Sequence, residues 1–474
     1  MTRVPDGPPG PATGRRTELL LLVAAATITT ASLVSVEIDQ QHALSFALGY
    51  LGLAYLALFA GAHLAVRRWA PYADPLILPC VALLTGLGLV MIHRLDLAAA
   101  ASAVGQGLPA PSSNAIRQLA WAGGSVVLLA VVMWRLPDHR VLSRYSYLLG
   151  LVGLVLLVLP GVLPASISQV NGAKLWIRVG PVSLQPGEFA KLAIIVFAAS
   201  LLVEKRELFT TAGRRLGRME FPRPRDLAPL VIAWLAAVGV LALEKELGAS
   251  LLFFGVVLAM IYIATERVSW VLIGLAFFAA TSVLAYHLFA HVQVRVQVWE
   301  SPFADFAGNG YQLSQGLFGL AYGGMLGTGL GAGRPDLVPL ANTDFIIAGM
   351  GEELGLTGLA AILCVYLLLI GRGLHAANAA RDGFSTLLAA GLSFSLALQV
   401  FIVVGGVTDL IPETGLTAPF LSYGGSSLLA NYVLVAILLR ISHHVRRPEE
   451  ARPAAPVTPL AEAATMVSSR APAE

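Results

Sequence analysis

The sequence predicts an all-α polytopic membrane protein with about 12 transmembrane helices and a large extracellular loop. Three observations predict it. Of 474 residues, 57% are apolar and only 12% are charged, against roughly 25% charged in an ordinary soluble chain. The apolar residues fall in long blocks without the alternation of barrel strands, and mean hydropathy is +0.75. The cations are distributed unevenly between alternate loops, as in an oriented multi-pass chain. So few charges cannot cover two or three soluble domains. A soluble enzyme, a disordered protein and a nucleic-acid binder are excluded.

A spanning helix needs about 20 mostly apolar residues. Twelve blocks meet that need, at 18–36, 44–66, 75–93, 116–134, 145–163, 187–203, 227–243, 248–265, 269–289, 345–370, 386–407 and 426–442. The first 16 residues are Pro/Gly-rich and carry Arg3, Arg15 and Arg16, and no small-residue cleavage site follows. The first block therefore reads as a retained span, not a signal peptide. The third opens at Pro75 or Pro79, where proline is tolerated. The sixth is short and begins among charges. With both termini in the cytoplasm, 23 of the 31 Lys and Arg fall in inside segments.

Two loops stand out. Residues 204–226 form an inside loop with seven Lys/Arg, which reads as a solvated basic loop near anionic lipid. Residues 290–344 form the long external loop. Trp299, Phe303, Phe306, Tyr311, Phe318 and Tyr322 argue for order there, and the Gly-rich apolar stretch 313–331 suits a re-entrant or interfacial segment. The Pro/Ala/Glu-rich tail reads as disordered. Cys80 and Cys364 lie in apolar stretches, as small hydrophobes do.

Several chemistries lack their residues. None of the four lysines follows a glycine and none of the nine histidines precedes a glutamate. No GxxxxGK phosphate loop and no HExxH zinc site exists. No regular set of arginines lines a span, and no internal repeat supports an inverted-repeat transporter.

Ionisable groups near membrane depth mark candidate sites. In 171–191, Lys174, Arg178, Glu188 and Lys191 gather. Glu188 and Lys191 are spaced to pair on one helix face, either to neutralise each other or to act on a ligand. Lys174 and Arg178 suit a phosphate-bearing ligand or lipid headgroups. In 299–315, Asp305 sits between Phe303 and Phe306, and Gly308 and Gly310 permit a tight turn around it. It reads as a general base or as a turn residue. In 342–358, Asp344 reads as a helix N-cap. Glu352 and Glu353 lie roughly 10 Å further along that helix and must face protein or a wet cavity. In 412–427, Ser422, Ser426 and Ser427 sit in a Gly/Pro-broken segment, where they bind a ligand or cap the last helix. This chemistry fits an exporter, a lipid-linked glycosyltransferase or a flippase.

Four long segments, in order, resemble the SEDS family of bacterial cell-wall proteins, whose members include RodA and FtsW. NGAKLWIRVGPVSLQPGEFAK resembles NGxxxWI…QPSEFxK. GNGYQLSQ with GGMLGTGLGAG resembles GxGYQxxQS…GG…GxGLG. NTDFIIAGMGEELGLTG resembles TDFIFAxxxEELGxxG, and PETGLTAPFLSYGGSS resembles PxTGLxLPFxSYGGSS. Arg117, Gln118 and Trp121 resemble an RQxxW start. The match spans 75–445. This chain departs from the pattern at Phe306, where the family has proline, at Glu246 for an aspartate and at Asn342 for a histidine.

The resemblance implies a ten-span glycosyltransferase core over 75–445, preceded by a cytoplasmic tail (1–17) and two additional spans (18–74), and followed by a disordered cytoplasmic tail (446–474). It implies polymerisation of lipid II by inverting transfer, with Asp305 as general base. Lys174, Arg178, Glu188, Lys191, Gln312, Glu352, Glu353, Ser422 and Ser426 are the implied substrate-binding residues. No metal ligand or certain cofactor is implied, although a divalent cation is compatible with the chemistry. The implied partners are lipid II, a class B penicillin-binding transpeptidase and the elongation machinery. The extra N-terminal spans favour the RodA branch over FtsW. A lipid II flippase and a non-catalytic scaffold are the competing readings.

Overall fold

A computed structural model describes residues 13–40, 46–170, 173–180, 182–205, 214–216, 219–221, 231–232, 235, 239 and 247–448. The expected span 227–243, most of the basic loop, Glu246 and the tail from 449 lie wholly or largely outside them.

The protein is a multi-pass bundle of apolar helices. In chain order these are α1 (Arg15–Asp39), α2 (Phe46–Trp69), α3 (Ile77–Gly105), α4 (Asn114–Arg135), α5 (Ser146–Val162), α6 (Pro186–Glu204), α7 (Leu247–Thr265) and α8 (Val268–Leu288). After them come α9 (Ala290–Glu300), α10 (Tyr311–Gly323), α11 (Ile346–Ala379), α12 (Gly383–Val407) and α13 (Gly425–Arg446). Among the described residues, ten helices are long and apolar enough to cross a membrane. The 17-residue α5 matches an eleventh expected block.

Two helices extend furthest beyond their apolar blocks. Helix α3 begins just past Pro75 and runs 29 residues, and α11 runs 34. Three two-stranded hairpins add to the helices. The first pairs β1 (Gln169–Val170) with β2 (Ala173–Lys174), and the second pairs β3 (Ile177–Val179) with β4 (Val182–Leu184). The third pairs β5 (Arg214–Leu216) with β6 (Met219–Phe221).

Helices α3, α12 and α13 form the centre and are the most enclosed. Their packed face includes Ile77, Leu84, Leu388, Leu392, Tyr432 and Leu438, all within one continuous apolar core. Helices α1 and α2 lie at the periphery, α1 against α3 and α2 against α4. They are joined to the core at one end of the bundle. There Arg15 contacts Glu18 and the Ala73 carbonyl, and Glu18 Oε1 lies 2.7 Å from His63 Nδ1. At that same end Asp74 accepts from Arg372, and its amide donates to Ser442 Oγ at 3.0 Å. We call this the basic end. The four motif segments lie at the opposite end.

The long loop 290–344 is structured. It holds α9, α10 and a 3-10 turn at Pro335–Leu337. Helix α10 packs closely on α11 because Gly316, Gly319 and Gly323 face it, and a Cβ at Gly323 would collide with the Gly351 carbonyl.

Candidate functional site

Helix α11 breaks at Gly355, where φ is +68°. That left-handed conformation is open to glycine and costly to most other residues. The break removes two helical hydrogen bonds, and the Gly-rich stretch 324–329 replaces them. Thr328 N donates to the Glu352 carbonyl and Gly329 N to the Glu353 carbonyl, each at 3.0 Å. In return, Leu356 N donates to the Gly324 carbonyl (2.9 Å) and Thr357 N to the Met325 carbonyl (3.1 Å). A buried backbone must satisfy these groups. Two motifs far apart in the chain are thus one splice, and it fixes Glu352 and Glu353 at the break.

The two glutamates are buried and have different partners. Glu352 Oε1 accepts the Arg334 amide at 2.6 Å, and its other oxygen faces Gly319 of α10. Glu353 Oε1 accepts from Arg94 Nε at 3.1 Å, and Arg94 Nη2 donates to the Gly333 carbonyl at 2.7 Å. Arg94 therefore ties α3, α11 and the Gly-rich loop together. Its position inside an apolar span is a signal for a charge partner, but the partner lies 259 residues away in sequence.

Asp305 is exposed in the turn before α10. Its Oδ2 accepts from the Asn309 amide (2.9 Å) and side chain (3.2 Å), and its carbonyl accepts from Gly308 N and Gly310 N. A Cβ at Gly308 would collide with the carboxylate. Phe303 stacks on Phe318 at 5.6 Å and Phe306 meets Tyr311 edge-on at 5.8 Å, which anchors the turn to α10. Gln312 follows on the same helix, with its side-chain nitrogen buried and unpartnered among the described residues.

Lys191 is buried in α6. Its Nζ donates to Glu188 Oε2 at 3.0 Å and to Gln399 Oε1 at 2.9 Å. The expected pair therefore exists, with a third member from α12. Gln399 in turn donates to the Thr417 carbonyl at 2.9 Å. A small cleft beside Glu188 and Lys191 is walled by Leu175, Phe253 and Leu416. Lys174 and Arg178 lie apart from this group. Lys174 donates to the Gly161 and Leu163 carbonyls (3.3 Å each), and Arg178 to the Gln169 carbonyl (2.7 Å). Lys174 fastens the first hairpin to the end of α5, and Arg178 ties the second hairpin to the first.

The serines do not cap the last helix. Its N-cap is Gly424, without a side-chain bond. They link segments instead. Ser422 Oγ donates to the Thr343 carbonyl at 2.5 Å and accepts from Ala418 N at 2.8 Å, while Ser426 Oγ accepts from Gln185 N at 2.8 Å. Gln118 of the RQxxW segment donates to the Ser422 carbonyl at 3.0 Å. Asp344 is not an N-cap either. Phe345 holds that position without a side-chain bond, and Asp344 Oδ1 accepts from Thr343.

A cluster that local sequence did not join lies alongside. Arg295 Nη1 donates to the Glu413 carbonyl at 2.6 Å. Burial pushes the Asp344 carboxyl up, partly offset by Thr343 and Arg295. Burial also pushes Glu413 up, with Arg295 opposing and Asp344 adding to the rise. Among the described residues, no three His, Cys, Asp or Glu side chains converge on one point.

Residues 74–447 match the FtsW/RodA/SpoVE family model, described as a cell cycle protein family. The chain is 57% identical over 446 residues to the peptidoglycan glycosyltransferase RodA of Mycobacterium tuberculosis, covering 94% of each chain. It is 54% identical over 464 residues to the protein of the same name from Mycobacterium leprae, covering 98% of this chain and 97% of that one. A chain in the solved structure of a peptidoglycan synthase complex is 26% identical, with a TM-score of 0.61 over 80% of this chain and 99% of that one. On the family match and these identities, the chain belongs to the FtsW/RodA/SpoVE family of cell cycle proteins.

Proposed function

We propose that this chain is a peptidoglycan glycosyltransferase of the RodA type that polymerises lipid II during cell elongation. The observation that carries the reading is the convergence of the motif segments at one end of the bundle. Gln185 meets Ser426, Thr343 meets Ser422, and Arg295 meets Glu413. Identity to named RodA enzymes over nearly the whole chain supports the same reading.

The growing strand is the donor, its anomeric carbon bonded to a lipid-linked pyrophosphate. The 4-hydroxyl of the GlcNAc of lipid II is the acceptor. Asp305 takes the hydroxyl proton as the oxygen attacks, and the bond to pyrophosphate breaks with inversion from α to β-1,4. One base suffices for a single displacement. The exposed Asp305 carboxylate is held from one side by Asn309, which leaves Oδ1 to face a sugar. The leaving pyrophosphate needs positive charge. Lys191, oriented by Glu188 and Gln399, stands at a cleft and suits that role. Lys174 and Arg178 already hold backbone carbonyls and keep further N–H donors for a phosphate.

The motif end faces outward and both termini lie in the cytoplasm, as the distribution of Lys and Arg requires. The partner is a class B penicillin-binding transpeptidase, in keeping with the likeness to a chain of a synthase complex that coordinates polymerisation and crosslinking.

The test is lipid II polymerisation by the purified chain with and without that partner. Asp305→Asn should lower the rate by about 10²–10⁴-fold. Wild-type rate in Asp305→Asn removes the base assignment. A wild type that moves lipid II across liposomes without polymerising it makes the chain a flippase.

A further inference from the structure

Helix α1 precedes residue 74, where the family match begins. Its 25 residues are long enough to cross the bundle. It starts at the basic end, at Arg15, and its C-cap Gln40 reaches the motif end. There it meets the Gly-rich loop that is spliced into α11.

The contact has an apolar part and a polar part. Leu33 and Val36 pack with Val90 and Leu97 of α3 and with Leu330 of the loop, in a cluster of their own. Gln40 Nε2 donates to the Gly331 carbonyl at 2.5 Å. Glu37 is buried, and its Oε1 lies 2.9 Å from Nε2 of His93 on α3. A carboxylate on a spanning helix needs such a partner. Gly331 has φ +96°, and a Cβ there would lie 2.9 Å from Asp39 Cβ and 3.3 Å from the Val36 carbonyl. A glycine is therefore required where α1 touches the loop, for its backbone and for the close approach.

These contacts lead to the two buried glutamates. His93 precedes Arg94, which holds Glu353 and the Gly333 carbonyl. A Cβ at Gly333 would lie 3.0 Å from Glu353 Cγ and 3.2 Å from Glu352 Oε1. Helix α1 thus braces the loop twice, directly at Gly331 and through α3 at Gly333. The loop continues from α10, on which Phe303 stacks to anchor the Asp305 turn. We propose that α1 is a positioning strut of the sugar-transfer site, in which Gln40 and Glu37 hold the Gly-rich loop in its working geometry. This role rests on the polymerase reading.

The test pairs hydrogen exchange of peptides covering 324–333 with lipid II polymerisation, both on the purified full-length chain. Gln40→Glu is nearly isosteric but replaces the donor with an acceptor. It and Glu37→Leu should each raise exchange in 324–333 about 2–10-fold, the effect of one lost hydrogen bond. Polymerisation should fall by a similar factor. Glu37→Gln keeps a partner for His93 and should restore both readouts. Ile38→Ala, on the exposed side of α1, should change neither. Unchanged exchange in Gln40→Glu and Glu37→Leu overturns the strut, and so does raised exchange with wild-type polymerisation. An equal effect of Ile38→Ala overturns it too, since α1 would then act only through its general stability. A wild type that does not polymerise lipid II removes the polymerase reading, and exchange in the same variants still decides whether α1 holds the loop.

Discussion

Some buried charges in this chain are held by pairs that sequence spacing does not reveal. Arg94 and Glu353 are both nearly inaccessible and hold each other across two helices. Removing one partner of such a pair leaves a bare buried charge and typically costs about 3–5 kcal/mol. Arg94→Met should therefore melt well below the wild type, and Arg94→Met/Glu353→Leu should recover much of the loss, as thermal unfolding in detergent will show. Glu413 has the opposite character. Burial raises its pKa above the ordinary 4.5, and Asp344 adds to the rise. A raised folded pKa means a stability contribution that is complete below 4.5 and lost as pH rises through the folded value. Glu413→Gln should accordingly melt above the wild type at pH 7, and the gap should close on acidification. A gap that widens toward low pH contradicts the assignment. The Glu188–Lys191 pair was readable from its i,i+3 spacing. Gln399, which completes it, was not, because it sits 208 residues on.

At the scale of the element, the break in α11 joins two motifs into one unit. Apolar patterning predicts a single helix from 345 and gives no sign of the interruption, since Gly355 alone is compatible with a straight helix at modest cost. The interruption goes with the Gly-rich stretch 324–329, which supplies replacement partners for Glu352, Glu353, Leu356 and Thr357. Gly355→Ala would force a side chain into the left-handed region and into the backbone at Leu326 and Gly327. The strain alone is on the order of 1–3 kcal/mol. The variant should show faster proteolysis within 324–333 and reduced polymerisation. Wild-type protection of that loop would mean that the splice does not depend on the glycine. The apparent capping residues illustrate the same limit. Ser422, Ser426 and Asp344 have cap chemistry at helix starts, but tertiary partners claim the two serines and neighbouring Thr343 claims Asp344.

For the whole molecule, charge distribution makes a prediction about sides. Cys364 is exposed and Cys80 buried. In a chain with both replaced by serine, Ala307→Cys in the turn after Asp305 should react in intact cells with a membrane-impermeant maleimide. Arg215→Cys should react only after permeabilisation. The reverse result inverts the topology. It would also move the motif end, and with it the proposed reaction, to the cytoplasmic face.

The sequence by itself determined the class, the spanning blocks and the segments that matter. Those depend on composition, on runs of about 20 apolar residues and on local motifs, all properties of neighbouring positions. It located Asp305, Glu188, Lys191 and the two glutamates, and it marked 290–344 as ordered through its aromatics. Only the tertiary structure decided which of these residues meet. It separated Lys174 and Arg178 from Lys191, joined Arg94 to Glu353, and spliced 324–329 into α11. The physical reason is that hydropathy says that a helix is buried in lipid or protein, but not which helix lies against it. Hydrogen-bond and charge partners in a membrane bundle come from whichever segment packing brings near, and that is fixed only when the whole core is assembled.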